Sequence, residues 1–235
     1  MFKNLITGLF INSSRSYLDD FAKEAADSVP DRAVVLDAGA GGCPYKYHFS
    51  HTKYESADFC QVDKEYGEIT YKCDLSTIPV EENRFDLILC SQTLEHVPEP
   101  EKVLKELFRV LKPGRSLWLT APLFYEEHEV PYDFYRYTRY GLKYLVEEAG
   151  FSVVRIDWLE GYYGTLAYQL GKAAKALPIH PKQYGGGIVG VVSAIIVMIL
   201  KPLFAISSML FSRLDLRKKY ASAGQCKNYA IVATK

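Results

Sequence analysis

The stretch Ala33-Val34-Val35-Leu36-Asp37-Ala38-Gly39-Ala40-Gly41-Gly42-Cys43-Pro44 decides the fold. Val34, Val35 and Leu36 form a short, charge-free run of the kind that makes a strand buried on both faces. The run stops at the carboxylate of Asp37, and Gly39, Gly41 and Gly42 follow at once. Gly39 and Gly41 can take positive φ and carry no Cβ, so backbone can come close to a ligand there. Pro44 suits the first turn of a helix, where its missing N–H is no loss. In outline this is a strand, a nucleotide-binding turn and a helix start.

The type of nucleotide follows from what the turn lacks. A dinucleotide fingerprint needs glycine at position 44, and a P-loop needs Gly-Lys-Ser/Thr; this chain has neither. Asp37 at the strand end repels a pyrophosphate but accepts a hydrogen bond from an amine. A ligand that is cationic near the turn is therefore expected, and S-adenosylmethionine, with its ammonium and sulfonium, fits. Asp37-Ala38-Gly39-Ala40-Gly41 resembles the first motif of class I S-adenosylmethionine-dependent methyltransferases, with Cys43 where that pattern has its third glycine.

Working outward, 53–58 reads as a second strand ending in Asp58, which lies twenty-one residues after Asp37. That is the interval at which βαβ nucleotide sites set a carboxylate against ribose hydroxyls. Asp58, with Phe59 beside it, is the expected ribose ligand. Residues 68–75 look like a third strand, and the resemblance implies that Asp74 and Leu75 meet the adenine. Phe85–Cys90 reads as a fourth strand, with Ser91 and Gln92 leaving it on the ligand side. A helix over 100–111 is expected to close at Lys112-Pro113-Gly114, and a fifth strand to follow over 116–120. The run through Phe85-Asp86, Leu94-Glu95-His96-Val97 and Arg109 to Gly114 is similar to the methyltransferase type 11-like group, which includes quinone-modifying enzymes.

Strands that alternate with helices predict an α/β fold. It is expected to be a doubly wound, mostly parallel, seven-stranded Rossmann-like sheet with helices on both faces and a hydrophobic helical insertion before the last strand. Strands six and seven fall at 151–158 and 228–234. The chain reads as one methyltransferase domain, 1–235: an N-terminal helical segment over 1–30, a cofactor-binding core over 33–158, an insertion over 160–226 and the final strand over 227–235. Apolar residues at helical spacing place a helix over 14–29.

Residues 121–137 form a long aromatic loop, and loops of this kind are usually functional. The loop resembles the His-x-x-Pro-x-Asp-x-x-Arg segment of bacterial methyltransferases associated with surface-glycan and lipid-linked substrates, matched by His128, Pro131, Asp133 and Arg136. His128 and His96 are the candidate general bases, and Tyr132, Asp133, Tyr135 and Arg136 the candidate substrate contacts. Arg136 has a structural carboxylate as its alternative partner. Thr138 is the expected N-cap of a helix running to Gly150.

Residues 186–200 are apolar throughout, Lys201-Pro202 interrupts them, and 203–211 is apolar again. Two helices at an angle are expected, each too short to span a bilayer. A single span would also leave the last strand on the wrong side of the membrane from the sheet. That leaves membrane-surface contact through 186–219, helped by Arg213, Arg217, Lys218 and Lys219, or a homodimer interface.

The 28 basic and 28 acidic residues balance, which argues against a nucleic-acid partner. The five cysteines include no Cys-x-x-Cys pair and read as buried, reduced thiols of a cytoplasmic protein, with peripheral contact at the membrane's inner face. The apolar start of the chain, Met1 to Ile11, reads as a surface-lying turn rather than a secretory signal. The expected reaction is methyl transfer from S-adenosylmethionine to a small-molecule, glycan or lipid-linked acceptor by direct displacement. It requires no metal, and no ligand cluster stands out in the sequence. The alternatives are an NAD(P)-dependent oxidoreductase on a related sheet and an inactive membrane-associated scaffold.

Overall fold

A computed structural model describes residues 12–235; the expected surface turn over 1–11 lies outside them. The chain forms two compact units. One comprises Arg15–Leu159 with Lys227–Lys235, and the other Glu160–Cys226 with residues 12–14.

The first unit holds a seven-stranded sheet of β1 (Val34–Ala38), β2 (Lys53–Asp58), β3 (Tyr71–Lys72), β4 (Phe85–Ser91), β5 (Leu111–Pro122), β6 (Ser152–Trp158) and β7 (Asn228–Thr234). The order across the sheet is β3-β2-β1-β4-β5-β7-β6. The first five strands run parallel, and β7 pairs antiparallel with both β5 and β6. This is the mostly parallel sheet that the strand and helix alternation predicts.

The central strands are apolar because water reaches neither face. Val35, Leu87 and Leu89 point toward helix α1 (Ser13–Asp27) and join Phe21, Ala22, Ala25 and Trp118 in one cluster. Strand alternation turns Leu36, Ile88, Leu117 and Leu119 to the opposite face, where they too are fully buried. Helix α2 (Pro100–Val110) turns Val103, Leu104, Leu107 and Val110 inward, which is the apolar stripe legible in its sequence. Helix α3 (Arg139–Glu148) starts as expected at Thr138, whose hydroxyl accepts from Gly141 N.

Expectations about two of these elements and about the cysteines need correction. The third strand is only Tyr71–Lys72 rather than 68–75, because Thr70 and Glu68 bond to the Ser56 side chain instead of a strand partner. Lys112-Pro113-Gly114 does not close a helix; α2 ends at Val110 and these residues open β5. There Lys112 Nζ reaches both oxygens of Asp86 at 3.0 Å, and Gly114 N–H donates to Lys235 O. The five cysteines are free thiols, but only Cys90 and Cys226 are buried; Cys43, Cys60 and Cys73 are half-buried at loops and strand ends.

The second unit contains α4 (Tyr162–Ala176) and α5 (Gly187–Arg217). Here the expectation of two angled helices fails, since α5 is one helix of 31 residues with Pro202 inside it. Proline removes one backbone hydrogen bond, and contacts to α4 and its C-terminal end hold both sides of the break. Lys201 Nζ bonds to the carbonyls of Leu177 and Lys175, and Ser208 Oγ bonds to Ala167 O. Gly171 lets α4 approach Ser208 closely.

One buried ion pair fixes the start of the sheet. Glu55 on β2 takes two hydrogen bonds from Arg84, at 2.8 and 3.0 Å, and one from the Tyr71 hydroxyl at 2.7 Å. These donors pull its carboxyl down to about 2 against the cost of its burial. A depressed carboxyl stabilises the fold above the unfolded value and loses that contribution as pH falls toward the folded one. Glu55→Gln should therefore cost about 2 kcal/mol at pH 7, with the gap to wild type closing between pH 4.5 and 2 in denaturant titrations.

Candidate functional site

Parallel pairing brings the carboxyl ends of β1, β2, β3, β4 and β5 to one edge, the position at which open α/β sheets bind ligands. A cavity lies there. Gly39, Asp58, Phe59, Asp74, Leu75 and Gln92 line it, together with Thr93, His96, Val97, Tyr132 and Phe134.

The floor is made by the glycine turn. Gly39 has φ +79°, and a Cβ on it would lie 2.1 Å from Thr93 Cγ2. The turn after β4 can therefore press against the turn after β1, with Thr93 Oγ1 donating toward the carbonyls of Ala38, Gly39 and Ser91. Gly41 also has positive φ, and Cys43, at the position of the missing third glycine, adopts φ +53°. The left-handed step of the turn is kept although the glycine is not. Cys60, Gln92 and Glu129 are left-handed too, so backbone strain concentrates around this cavity.

Asp58 clamps the turn. Its Oδ2 accepts from Gly41 N and its Oδ1 from Cys60 N, both at 2.9 Å. Each oxygen retains a further lone pair for a ligand. Asp74 accepts from Ser76 N at 2.8 Å, which folds Leu75 into the cavity wall. Three of the sequence candidates stand back from the cavity. Asp37 is buried and takes the Tyr54 hydroxyl at 2.5 Å; burial pushes its carboxyl up to about 6, against the pull of that hydrogen bond. Gly41 supports the turn from behind, and Ser91 is hydrogen-bonded to Thr120 at 3.0 Å.

The loop over 121–137 is sewn onto the turn after β4. Backbone N–H groups of Phe134 and Tyr135 donate to Glu95 O, and the Tyr137 hydroxyl donates to Leu94 O. Within the loop, Asp133 takes a bidentate pair from Arg136, at 2.6 and 2.8 Å, and the His128 backbone N–H at 2.9 Å. The guanidinium holds the Asp133 carboxyl far below the ordinary range. Asp133 and Arg136 thus act as a loop clamp, the alternative that the sequence left open for Arg136. Tyr135 donates its hydroxyl to Pro98 O and does not itself line the cavity. Of the four expected substrate contacts, Tyr132 faces it, edge-on to Phe59 with ring centres 5.0 Å apart.

His96 and His128 come together, with ring centres 4.6 Å apart. His96 Nδ1 lies 2.5 Å from Tyr132 O and therefore donates to it, leaving Nε2 with its lone pair. Burial lowers His96 below its ordinary range, which favours the neutral ring. Glu95, which the sequence marks only as part of the Leu94–Val97 run and gives no role, is almost wholly buried, and desolvation raises its carboxyl to about 8. Lys64 and Glu129 were also missed. They form an ion pair at 2.9 Å at the cavity rim, between residues too far apart in sequence for any pattern to join them.

Residues 36–119 match the family model described as a methyltransferase domain. A ubiquinone biosynthesis O-methyltransferase of Coxiella burnetii is 32% identical over 99 residues, covering 37% of this chain and 42% of that protein. The Pseudomonas entomophila protein of the same name is 36% identical over 60 residues, covering 26% and 25%. The chain thus spans less than half the length of these curated relatives. Among solved structures, a putative methyltransferase of Bacillus halodurans superposes with a TM-score of 0.55 at 15% identity, covering 93% of this chain and 98% of that one. The [4+2]-cyclase SpnF gives 0.57 at 18%, covering 94% and 81%. At such identities the likeness is one of fold, and the fold hosts more than one chemistry.

Gly39→Ala should remove more than about 2 kcal/mol of stability, from the strained φ and the clash together. Thermal denaturation of Gly39→Ala, Thr93→Ala and the double variant tests this. The double variant should lose less than the sum of the single variants.

Proposed function

We infer that this chain, whose residues 36–119 belong to the methyltransferase domain family, transfers a methyl group from S-adenosylmethionine to an oxygen of a small, largely apolar acceptor. The carrying observation is the convergence of Gly39, Asp58, Phe59, Asp74, Leu75 and Gln92, from four strand ends, on one cavity.

These residues fit the cofactor. Two carboxylate oxygens with free lone pairs at Asp58 suit the paired hydroxyls of a ribose, and Asp74 with the backbone of Leu75 suits the adenine edge. Gly39 lets backbone approach where a side chain would block. The buried carboxyl of Asp37 sits behind the turn and favours a cationic ligand over a phosphate.

Bound there, S-adenosylmethionine supplies an electrophilic sulfonium methyl. The protein's part is alignment and proton handling. Phe59, Tyr132 and Phe134 give the acceptor an apolar, aromatic wall. His96 and His128 take charge of its hydroxyl proton. The O-methyltransferase names of the Coxiella and Pseudomonas relatives support an oxygen acceptor.

The 186–219 segment supports a bilayer as the second partner. The α5 helix is long and apolar enough to cross a membrane, and its most apolar stretch has mean hydropathy 2.4 and is only 17% buried. Ile188, Val189, Ile195, Ile199, Leu203, Ile206 and Leu210 are all about half exposed or more. They extend over about 33 Å of helix, a long apolar surface to lay against a membrane face. Exposed Arg213, Arg217, Lys218 and Lys219 follow immediately, at the level of anionic headgroups. Both flanking strands belong to one sheet, so the segment leaves and returns on the same side. On this reading the enzyme works in the cytoplasm at the inner face of a membrane.

Asp58→Ala should weaken S-adenosylhomocysteine binding at least tenfold by calorimetry. His128→Ala should bind it normally, yet transfer the labelled methyl group of S-adenosylmethionine to membrane lipid extracts about a hundredfold more slowly. Normal binding by Asp58→Ala would remove that residue from the ribose site. The wild-type chain should float with anionic vesicles, and Ile195→Glu with Ile199→Glu should not. A protein that stays unbound to vesicles and runs as a dimer in light scattering would make α5 a self-association surface instead.

A further inference from the structure

We infer that Glu95, His96 and His128 form a binding site for a divalent first-row metal cation of the Zn²⁺ class, which takes an oxygen of the acceptor as a further ligand.

One ligand atom from each of the three residues lies within 4.8 Å of the other two. Ligands at bonding distance from such an ion sit about 3.4 Å apart, so the side chains need close by only about 1.5 Å. Two imidazoles and one carboxylate are a donor set that zinc, iron and manganese accept, with coordination positions left open for another ligand.

Two features beyond proximity point to a cation. The first is Glu95, which is 1% exposed and whose Oε2 is buried without a hydrogen-bond partner among the described residues. Its Oε1 lies 3.9 Å from His96 Nε2, beyond hydrogen-bond length. A buried carboxyl oxygen without a partner is costly, and a cation set against it would satisfy it. The second is the orientation of the imidazoles. His96 Nδ1 donates to Tyr132 O at 2.5 Å, and His128 Nδ1 lies 3.1 Å from Glu126 O with Asp133 Oδ2 at 3.5 Å. Each ring is held from behind on Nδ1, as metal-bound histidines are, leaving Nε2 as the ligand.

The position gives the ion its use. His96 lines the cavity beside Phe59 and Tyr132, which sets the ion at the edge of the space left for the acceptor. With the ion bound, the two histidines act on the acceptor through it rather than as free bases, and a hydroxyl bound there loses its proton more readily. As the new O–CH₃ bond forms, the S–CH₃ bond breaks with its electron pair going to sulfur, and the hydroxyl proton passes to solvent. This use rests on the methyl-transfer reading, whereas the cation site itself does not. The sequence hid the site because His128 is thirty-two residues from His96 and on a different loop.

The test is titration of chelator-treated protein with Zn²⁺ by calorimetry and with Co²⁺ by its d–d absorption, followed separately by S-adenosylhomocysteine. One equivalent should bind with micromolar affinity or better. Glu95→Gln, His96→Ala and His128→Ala should each weaken it at least tenfold, while His180→Ala should not. His128 lies in a loop and is partly exposed, so His128→Ala reports on the site even if Glu95→Gln fails to fold. Absence of metal binding, or binding that survives His96→Ala with His128→Ala, overturns the site. Metal binding without S-adenosylhomocysteine binding leaves the site standing and removes the methyl-transfer reading.

Discussion

Close contact between Gly39 and Thr93 is the constraint on which the rest of the site depends. A Cβ at position 39 would fall inside the Thr93 side chain, so the turns after β1 and β4 can meet only because glycine stands there. Their meeting forms the cavity floor, and Asp58 locks the arrangement by accepting from Gly41 and Cys60. Burial of the central strands supplies the stability that this strained edge draws on. Val35, Leu36, Leu87, Ile88 and Leu89 are all fully enclosed, whereas the left-handed residues gather where the strands stop.

A second layer is built on that floor by the loop over 121–137. Carbonyls of Leu94 and Glu95 accept from Tyr137, Phe134 and Tyr135, and His96 donates back to Tyr132. The Asp133–Arg136 pair keeps the loop folded and the His128 backbone in place. The Asp133 and Arg136 charges serve position rather than direct recognition, and Tyr132 and Phe134 line the cavity. A loop held at so many backbone points sets Tyr132 and His128 against His96 of the turn after β4.

Features carried by short-range pattern were legible in the sequence. The charge-free run before Asp37, the interval to Asp58 and the stripe on α2 each encode a local preference that burial then reinforces. What could not be read depended on contacts across the chain. The 68–75 segment has the residues of a strand, but the Ser56 hydroxyl takes its hydrogen bonds and only Tyr71–Lys72 pair. Lys112-Pro113-Gly114 carries every mark of a helix end, yet Asp86 and Lys235 draw it into β5. Pro202 reads as a break, and contacts on both sides keep α5 continuous. Glu95 stayed invisible because a buried, unpaired carboxylate has no sequence signature.

The central claim is that the edge of the sheet holds S-adenosylmethionine and not a nicotinamide cofactor. Calorimetric titration of the purified chain with S-adenosylhomocysteine and, separately, with reduced nicotinamide dinucleotide tests it most directly. The account predicts one micromolar site for the first and no heat from the second. Saturable binding of the nicotinamide with none of S-adenosylhomocysteine would contradict it.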